Sequence, residues 1–189
     1  MNRQYELSCV TKAYLSDFYD ILDCMIEEMT GAKSCQSISQ TFIAQMIPHH
    51  EAAIKAAENL LKYTTCIPLQ DTANGIIAEM TCGIEEMKKM LCKCEKCKNC
   101  ECDVCLYERQ FEKISRRMFD RMGCACTDNC LNANFIRQMI PHIEGGIYMN
   151  KNALRFCLCP ELRELLCEMI ESQKQLLCEM KRLLSMTAG

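Results

Sequence analysis

Apolar side chains recur every three or four residues along most of the chain, in six separate segments. In the first segment Phe18, Ile21, Leu22, Met25 and Met29 follow this spacing, which places them on one face of an α-helix. The sequence lacks the short alternating runs bounded by turn pairs that are typical of strands. The pattern therefore predicts an all-α protein.

The six segments form two copies of one three-helix unit. Shifting the sequence so that Phe42 meets Phe135 aligns FIAQMIPHHE with FIRQMIPHIE and needs no gap elsewhere. The predicted helices span 5–29, 39–63 and 71–91 in the first copy and 103–122, 132–156 and 161–184 in the second, with Ser39 and Asn132 as N-caps. We therefore expect one compact antiparallel helical bundle, with repeats at 1–96 and 97–189 and a cysteine-rich seam at 92–105.

Composition narrows the class of protein. The 189 residues include 18 cysteines, and the apolar fraction of 49% is enough to build a core without cross-links. The first twenty residues show neither the apolar run nor the cleavage site of a signal peptide. We therefore expect a cytoplasmic protein with reduced thiols, and clustered reduced thiols are typical of metal ligands.

Two classes of partner are disfavoured by the sequence. No apolar run is long enough to cross a membrane. Lysine and arginine are interspersed with acidic residues instead of forming the basic stripe that is typical of nucleic-acid binding. Metal ions are the expected partners, and a homo-oligomer is compatible with the sequence.

Most of the cysteines that are close in sequence lie at predicted helix ends or connections. The grouped thiols are those of Cys92, Cys94, Cys97, Cys100, Cys102 and Cys105 in the seam, then Cys124, Cys126 and Cys130, then Cys157 and Cys159. C-x-C and C-x2-C spacings allow neighbouring thiolates to bind one ion, and nearby lysines favour the thiolate form. Cys167 and Cys178 are predicted to lie outside the core.

The seam is compatible with three kinds of metal site. Four of its thiols suffice for tetrahedral zinc. Cys94, Cys97 and Cys100 match the start of a bacterial iron–sulfur motif, but no Cys-Pro pair completes it. Six closely spaced thiols exceed the needs of one tetrahedral ion, and this surplus favours a polynuclear Cu(I) thiolate cluster. The predicted function is binding, storage or sequestration of a thiophilic metal, with an iron–sulfur cluster or a zinc-stapled scaffold as alternatives.

A Met-Ile-Pro-His motif occurs once in each copy and contains all three histidines of the chain. Met46 precedes His49 by three residues and His50 by four, so the thioether and an imidazole share one helical face; Met139 and His142 repeat the arrangement. Thioether and imidazole ligands suit a soft monovalent ion, although these side chains could also be ordinary core residues. The proline inside each helix costs about 3 kcal/mol, and its recurrence indicates a purpose.

Enzymatic chemistry has little support in the sequence. The chain lacks the Glu-x-x-His pairs of ferritin-like di-iron proteins. It also lacks a Gly-rich phosphate loop and an acid pair. We therefore predict a binding protein rather than an enzyme.

The stretches FIAQMIPHHEAAIKAA and FIRQMIPHIEGGIYMN resemble the signature of the DUF305 family, and Ile84, Met87 and Leu91 are similar to its downstream element. The resemblance implies a ferritin-like four-helix bundle and, as in the copper-resistance members, binding of Cu(I) or Ag(I) through methionine and histidine. By position, the implied ligands are Met46, His49, His50, Met139 and His142. Ile143 replaces the second histidine of the second copy, and the many cysteines are an addition to the family pattern.

Overall fold

The protein folds into helices alone in the part of the chain that the computed structural model describes, residues 6–94 and 96–187. The helices are α1 (Cys9–Gly31), α2 (Ile38–Leu61), α3 (Ile67–Cys94), α4 (Glu101–Gly123), α5 (Leu131–Ala153) and α6 (Pro160–Thr187). The prediction of an all-α protein is confirmed. The predicted start of the first helix, at residue 5, lies outside the described residues. The prediction was wrong for residues 6–8, because α1 begins only at Cys9, after the N-cap Ser8.

Helices α2 and α4 begin earlier than the sequence pattern predicted, because a side chain caps the first turn of each. The N-cap of α2 is Ser37, whose hydroxyl accepts a hydrogen bond from the Gln40 amide at 3.3 Å, so the prediction of Ser39 as the cap was wrong. The N-cap of α5 is Cys130 and not the predicted Asn132. Helix α4 begins two residues early because the Cys100 sulfur accepts a hydrogen bond from the Asp103 amide.

The helices α2 and α5 form the centre of the molecule. Each packs against the two other helices of its own repeat, α2 against α1 and α3 and α5 against α4 and α6, and the two also contact each other. Both continue without interruption through an internal proline, Pro48 in α2 and Pro141 in α5. The Met-Ile-Pro-His motifs therefore lie where the two repeats meet.

Reciprocal contacts relate the two repeats. The Tyr14 hydroxyl donates to the Gln138 side-chain oxygen at 2.9 Å, and the equivalent Tyr107 hydroxyl donates to Gln45 at 2.7 Å. All four side chains are buried. Such exchange of equivalent contacts is expected when two copies of one unit pack about an approximate twofold axis.

The core contains two clusters of buried apolar side chains, and each cluster takes residues from both repeats. Methionine contributes heavily to both, with Met25, Met46 and Met87 in one and Met80 and Met139 in the other. Since thioethers are flexible and polarisable, such a core also offers sulfur atoms to a ligand. None of the helices in the described ranges has the length and apolar character needed to cross a bilayer.

Candidate functional site

The three histidines lie at the contact between α2 and α5. The rings of His49 and His142, which are equivalent positions in the two repeats, stack with centroids 3.9 Å apart and planes inclined by 14°. The His50 ring lies 5.8 Å from that of His49. All three side chains are buried. The motif histidines of both repeats therefore converge on one place in the core.

Several ring nitrogens at this place have no partner. Nε2 of His49 lies 3.4 Å from the carbonyl oxygen of His142. Because a carbonyl only accepts, Nε2 carries the proton and Nδ1 of His49 is left with a free lone pair. No hydrogen-bond partner within the described residues reaches Nδ1 of His49 or Nε2 of His142. The nitrogens of His50 lack a partner of normal hydrogen-bond geometry, although the Met46 backbone still favours the protonated form of this ring. Buried polar atoms are normally paired, so these nitrogens indicate a ligand, either water or an ion.

Burial keeps these imidazoles uncharged at neutral pH. Desolvation lowers the pKa of His50 to about 4 and that of His142 to about 3. The pKa of His49 is also well below its usual value, first because of burial and then because of the neighbouring histidines. The neutral imidazole is the form that binds metal ions. The three rings therefore add no positive charge to this part of the core at neutral pH.

A small enclosed cavity of about 10 Å³ lies beside the stacked rings. Its lining includes His49, His142, Met80, Met139 and Gln173. This volume matches the space that one water molecule or one ion occupies. Two imidazoles, two thioethers and an amide thus line this space together with four apolar side chains, those of Ala53, Ile76, Ile143 and Leu176. The other motif methionine, Met46, packs in the neighbouring core cluster.

Glycine lets the imidazoles approach the backbone of neighbouring helices. A Cβ atom at Gly83 would lie 3.2 Å from Cδ2 of His50, and one at Gly146 would lie 3.1 Å from Cε1 of His49. Both distances are tighter than ordinary van der Waals contact. Glycine at these two positions therefore makes room for the rings.

Three residues near the site were not among the predicted ligands: Met80, Gln173 and Asn150. Met80 and Gln173 occupy equivalent positions of the two repeats and both line the cavity. The side-chain oxygen of Gln173 accepts a hydrogen bond from Asn150 at 3.2 Å. A signal existed in the sequence, because Gln173 is a polar residue within the apolar stripe of α6.

The structure also places near each other some thiols that are distant in sequence. Cys94 at the end of α3 and Cys159 before α6 are buried, and the two thiols are close enough to interact. Cys97 packs against the same core cluster and interacts electrostatically with Cys157 and Cys159. Burial first, and then the neighbouring thiols, raise the pKa of Cys94. Four of the predicted ligands, two from the seam and two from the connection between α5 and α6, are thus brought together.

Asn99 lies in the seam and bonds to two neighbouring segments, the start of α2 with the residues before it and the connection between α5 and α6. Its side-chain nitrogen donates to the carbonyl oxygen of Cys157 at 2.8 Å, and its side-chain oxygen accepts from the Ile38 amide at 3.0 Å. Its own amide donates to the Gln36 carbonyl at 2.8 Å. One residue, Asn99, therefore fixes the seam to the start of α2 and to the connection between α5 and α6.

The remaining predicted thiol ligands are exposed and dispersed: Cys92, Cys100, Cys102, Cys105, Cys124, Cys126 and Cys130. Between residues 6–94 and 96–187, no three His, Cys, Asp or Glu side chains are arranged so that they could hold a metal ion. A thiolate site at Cys94 and Cys159 would therefore require the side chains around it to rotate inward. Cys167 and Cys178 lie on the surface, as predicted.

Comparison with known proteins gives one match. The family model of DUF305, described as a domain of unknown function, matches residues 23–91 and again residues 115–184. Each matched segment contains one Met-Ile-Pro-His motif, and together they cover more than half of the chain. No curated protein and no solved structure matches the chain.

Proposed function

The chain belongs to the DUF305 family, and we propose that it binds and sequesters a thiophilic metal ion, with Cu(I) the first candidate. One observation carries the proposal: buried, uncharged imidazoles have unpaired nitrogens beside a cavity that methionine thioethers also line. An ion in this space would satisfy nitrogens that otherwise have no partner.

The type of donor favours a soft monovalent ion. The cavity lining contains imidazole, thioether and amide groups and no carboxylate. Hard ions such as Mg²⁺ and Ca²⁺ prefer oxygen ligands, whereas thioethers select Cu(I). A monovalent ion also brings less uncompensated charge into a buried site than a divalent one.

The cysteines would extend this capacity. Thirteen thiols are exposed and offer first contacts for an incoming ion, while Cys94, Cys97, Cys157 and Cys159 could close around one. The same four thiols support a second candidate, a structural zinc or iron–sulfur site, because they come from two connections that Asn99 already joins.

Architecture and compartment are part of the proposal. Short connections between consecutive helices in contact support an antiparallel, ferritin-like arrangement. So many exposed thiols require a reducing compartment, which favours the cytoplasm.

Anaerobic titration with Cu(I) against a chromogenic chelator tests the proposal. Met80→Leu combined with Met139→Leu removes two sulfurs from the cavity and nearly conserves volume, and it should abolish one tight equivalent. Changing Cys94, Cys97, Cys157 and Cys159 to serine should remove further equivalents. The matched control is Met87→Leu with Met29→Leu, buried methionines outside the cavity lining.

Three results would overturn the copper proposal. One is Cu(I) stoichiometry that is the same in wild type and in both sets of variants. The others are stoichiometric iron and sulfide, or one or two tightly held zinc ions, in anaerobically purified protein, which would favour the second candidate.

A further inference from the structure

A groove of about 490 Å³ between α4 and α5 has a strongly cationic lining. Five basic side chains surround it, those of Lys113, Arg117, Arg121, Lys151 and Arg155. Arg121 pairs with Glu144 at 2.6 Å. The other four form no ion pair with any described residue. The groove therefore presents unneutralised positive charge.

The equivalent surface of the first repeat has the opposite sign. Lys113, Arg121 and Lys151 correspond to acidic residues, Asp20, Glu28 and Glu58. Arg117 corresponds to the uncharged Cys24, and Arg155 to Lys62, which pairs with Asp17 at 3.0 Å. Residues 109–121 contain five cations and two carboxylates, whereas residues 16–28 contain five carboxylates and no cation. Because the two repeats share one scaffold, folding does not dictate the sign of either surface.

We propose that the acidic face of α1 in one copy of this chain docks into the α4–α5 groove of a second copy. The two surfaces are opposite in sign and equal in length, since the equivalent segments 17–28 and 110–121 each extend about 16 Å along a helix. An exposed tyrosine accompanies each surface, Tyr19 at 38% exposure and Tyr148 at 55%. Aromatic anchors of this kind are enriched in protein interfaces.

The contact is electrostatic and hence sensitive to salt. Each exposed ion pair contributes little, but complementary surfaces speed encounter and select the partner. Every copy carries both surfaces, so the contact forms a closed ring when the rotation between copies closes and an open chain when it does not. No histidine lines the groove, and no thiol does, so the association goes beyond the proposed metal binding and does not depend on it.

Sedimentation velocity on the full chain, reduced and treated with a chelator, tests the inference. At about 0.05 M salt the sedimentation coefficient should rise with protein concentration, and at about 0.5 M salt it should return to the monomer value. A monomer at every concentration in low salt would overturn the proposal, whatever the protein does with copper.

Charge reversal locates the contact. Lys113→Glu with Arg117→Glu, or Asp20→Lys with Asp23→Lys, should each weaken self-association by about tenfold or more. A mixture of the two variants should form pairs, because each retains the surface that the other lacks. Lys89→Glu with Lys174→Glu, on exposed parts of α3 and α6, should leave association unchanged, and circular dichroism verifies folding.

The groove has other conceivable occupants, and their binding would contradict the inference. If the wild-type chain stays monomeric while it binds inorganic tripolyphosphate or a short oligonucleotide, and Lys113→Glu with Arg117→Glu abolishes that binding, the groove serves a free anion or nucleic acid.

Discussion

At the scale of single residues, the chemistry of the core depends on a few side chains that differ between equivalent positions. His50 is an imidazole at the position where the second repeat has Ile143, and Gln173 is an amide where the first repeat has Met80. Both His50 and Ile143 are buried. The scaffold accepts an apolar side chain at the position equivalent to His50, so His50→Ile should remove the imidazole without disrupting the fold.

The first prediction concerns pH and His50. Its folded-state pKa of about 4 is lower than the usual 6.5, so the unfolded chain binds more protons between these values. The free energy of unfolding of the metal-free protein should therefore fall by about 1.4 kcal/mol per pH unit for this histidine as pH decreases from 6.5 towards 4. His50→Ile should reduce that slope, as measured by urea unfolding at several pH values.

Equal slopes in the wild type and His50→Ile would contradict the prediction. The two remaining buried histidines continue to contribute in the variant, because the pKa values of His49 and His142 are lowered as well. The slope should therefore become smaller and not vanish.

The second prediction compares two glycines inside helices. A Cβ atom at Gly145 would overlap the Met118 side chain, with 2.7 Å to Cγ and 3.0 Å to Cβ, so Gly145→Ala should destabilise the protein by about 1 to 3 kcal/mol. At Gly75 nothing lies within 4 Å, so Gly75→Ala should stabilise it by about 0.5 to 1 kcal/mol. Thermal unfolding measures both changes in stability. Equal effects would show that the contact with Met118 does not determine the effect of Gly145→Ala.

At the scale of helices and connections, local spacing predicted which segments are helical. It did not predict where several helices begin or which distant side chains meet. The period of apolar residues predicted all six helices, but the starts of α2 and α4 depend on capping by Ser37 and Cys100. The pairing of Cys94 with Cys159 could not be predicted, because it arises only when two distant connections pack together. The same is true of the cavity that joins Met80 to His142.

The third prediction concerns the seam. Asn99→Ala removes hydrogen bonds to both Ile38 and Cys157, and should lower the free energy of unfolding by about 1 to 2 kcal/mol. Asn99→Asp keeps the acceptor for the Ile38 amide but sets a carboxylate oxygen against the Cys157 carbonyl, so it should also destabilise the protein while exchange at Ile38 stays slower than in Asn99→Ala. Hydrogen exchange should show faster exchange at Ile38 in Asn99→Ala than in the wild type.

The control for the seam is Lys98→Ala, which changes an exposed neighbour and should have no effect. Equal exchange at Ile38 in Asn99→Ala and in the wild type would show that Asn99 does not hold the connections together.

At the scale of the whole molecule, the cysteines form a gradient of exposure from surface to core. Thirteen thiols are exposed, three are half-buried, and only Cys94 and Cys159 are buried. The groove between α4 and α5 adds a second molecular feature that local spacing did not predict. Three of its cations, Lys113, Arg117 and Arg121, recur every four residues along α4, so the expectation that the sequence holds no basic stripe was wrong for this helix. Lys151 and Arg155 join them only because α5 packs against α4.

The fourth prediction is that alkylation of the reduced, metal-free protein follows this gradient. Cys94 and Cys159 should react last, because burial limits access and raises the pKa of Cys94. Mass spectrometry of a time course measures the order. Reaction of Cys94 and Cys159 as fast as that of exposed Cys82 would contradict the structure, and protection of Cys97 and Cys157 by added Cu(I) would support a closed thiolate site.

The approximate twofold axis has a consequence for how the protein can change. A homodimer of separate three-helix chains would repeat every substitution on both sides of its axis, so His50 and its counterpart could never differ. Joining the copies in one polypeptide removes that symmetry, and each half can be altered independently. The stacked His49 and His142 are identical at equivalent positions of the two halves, whereas the next residues, His50 and Ile143, differ.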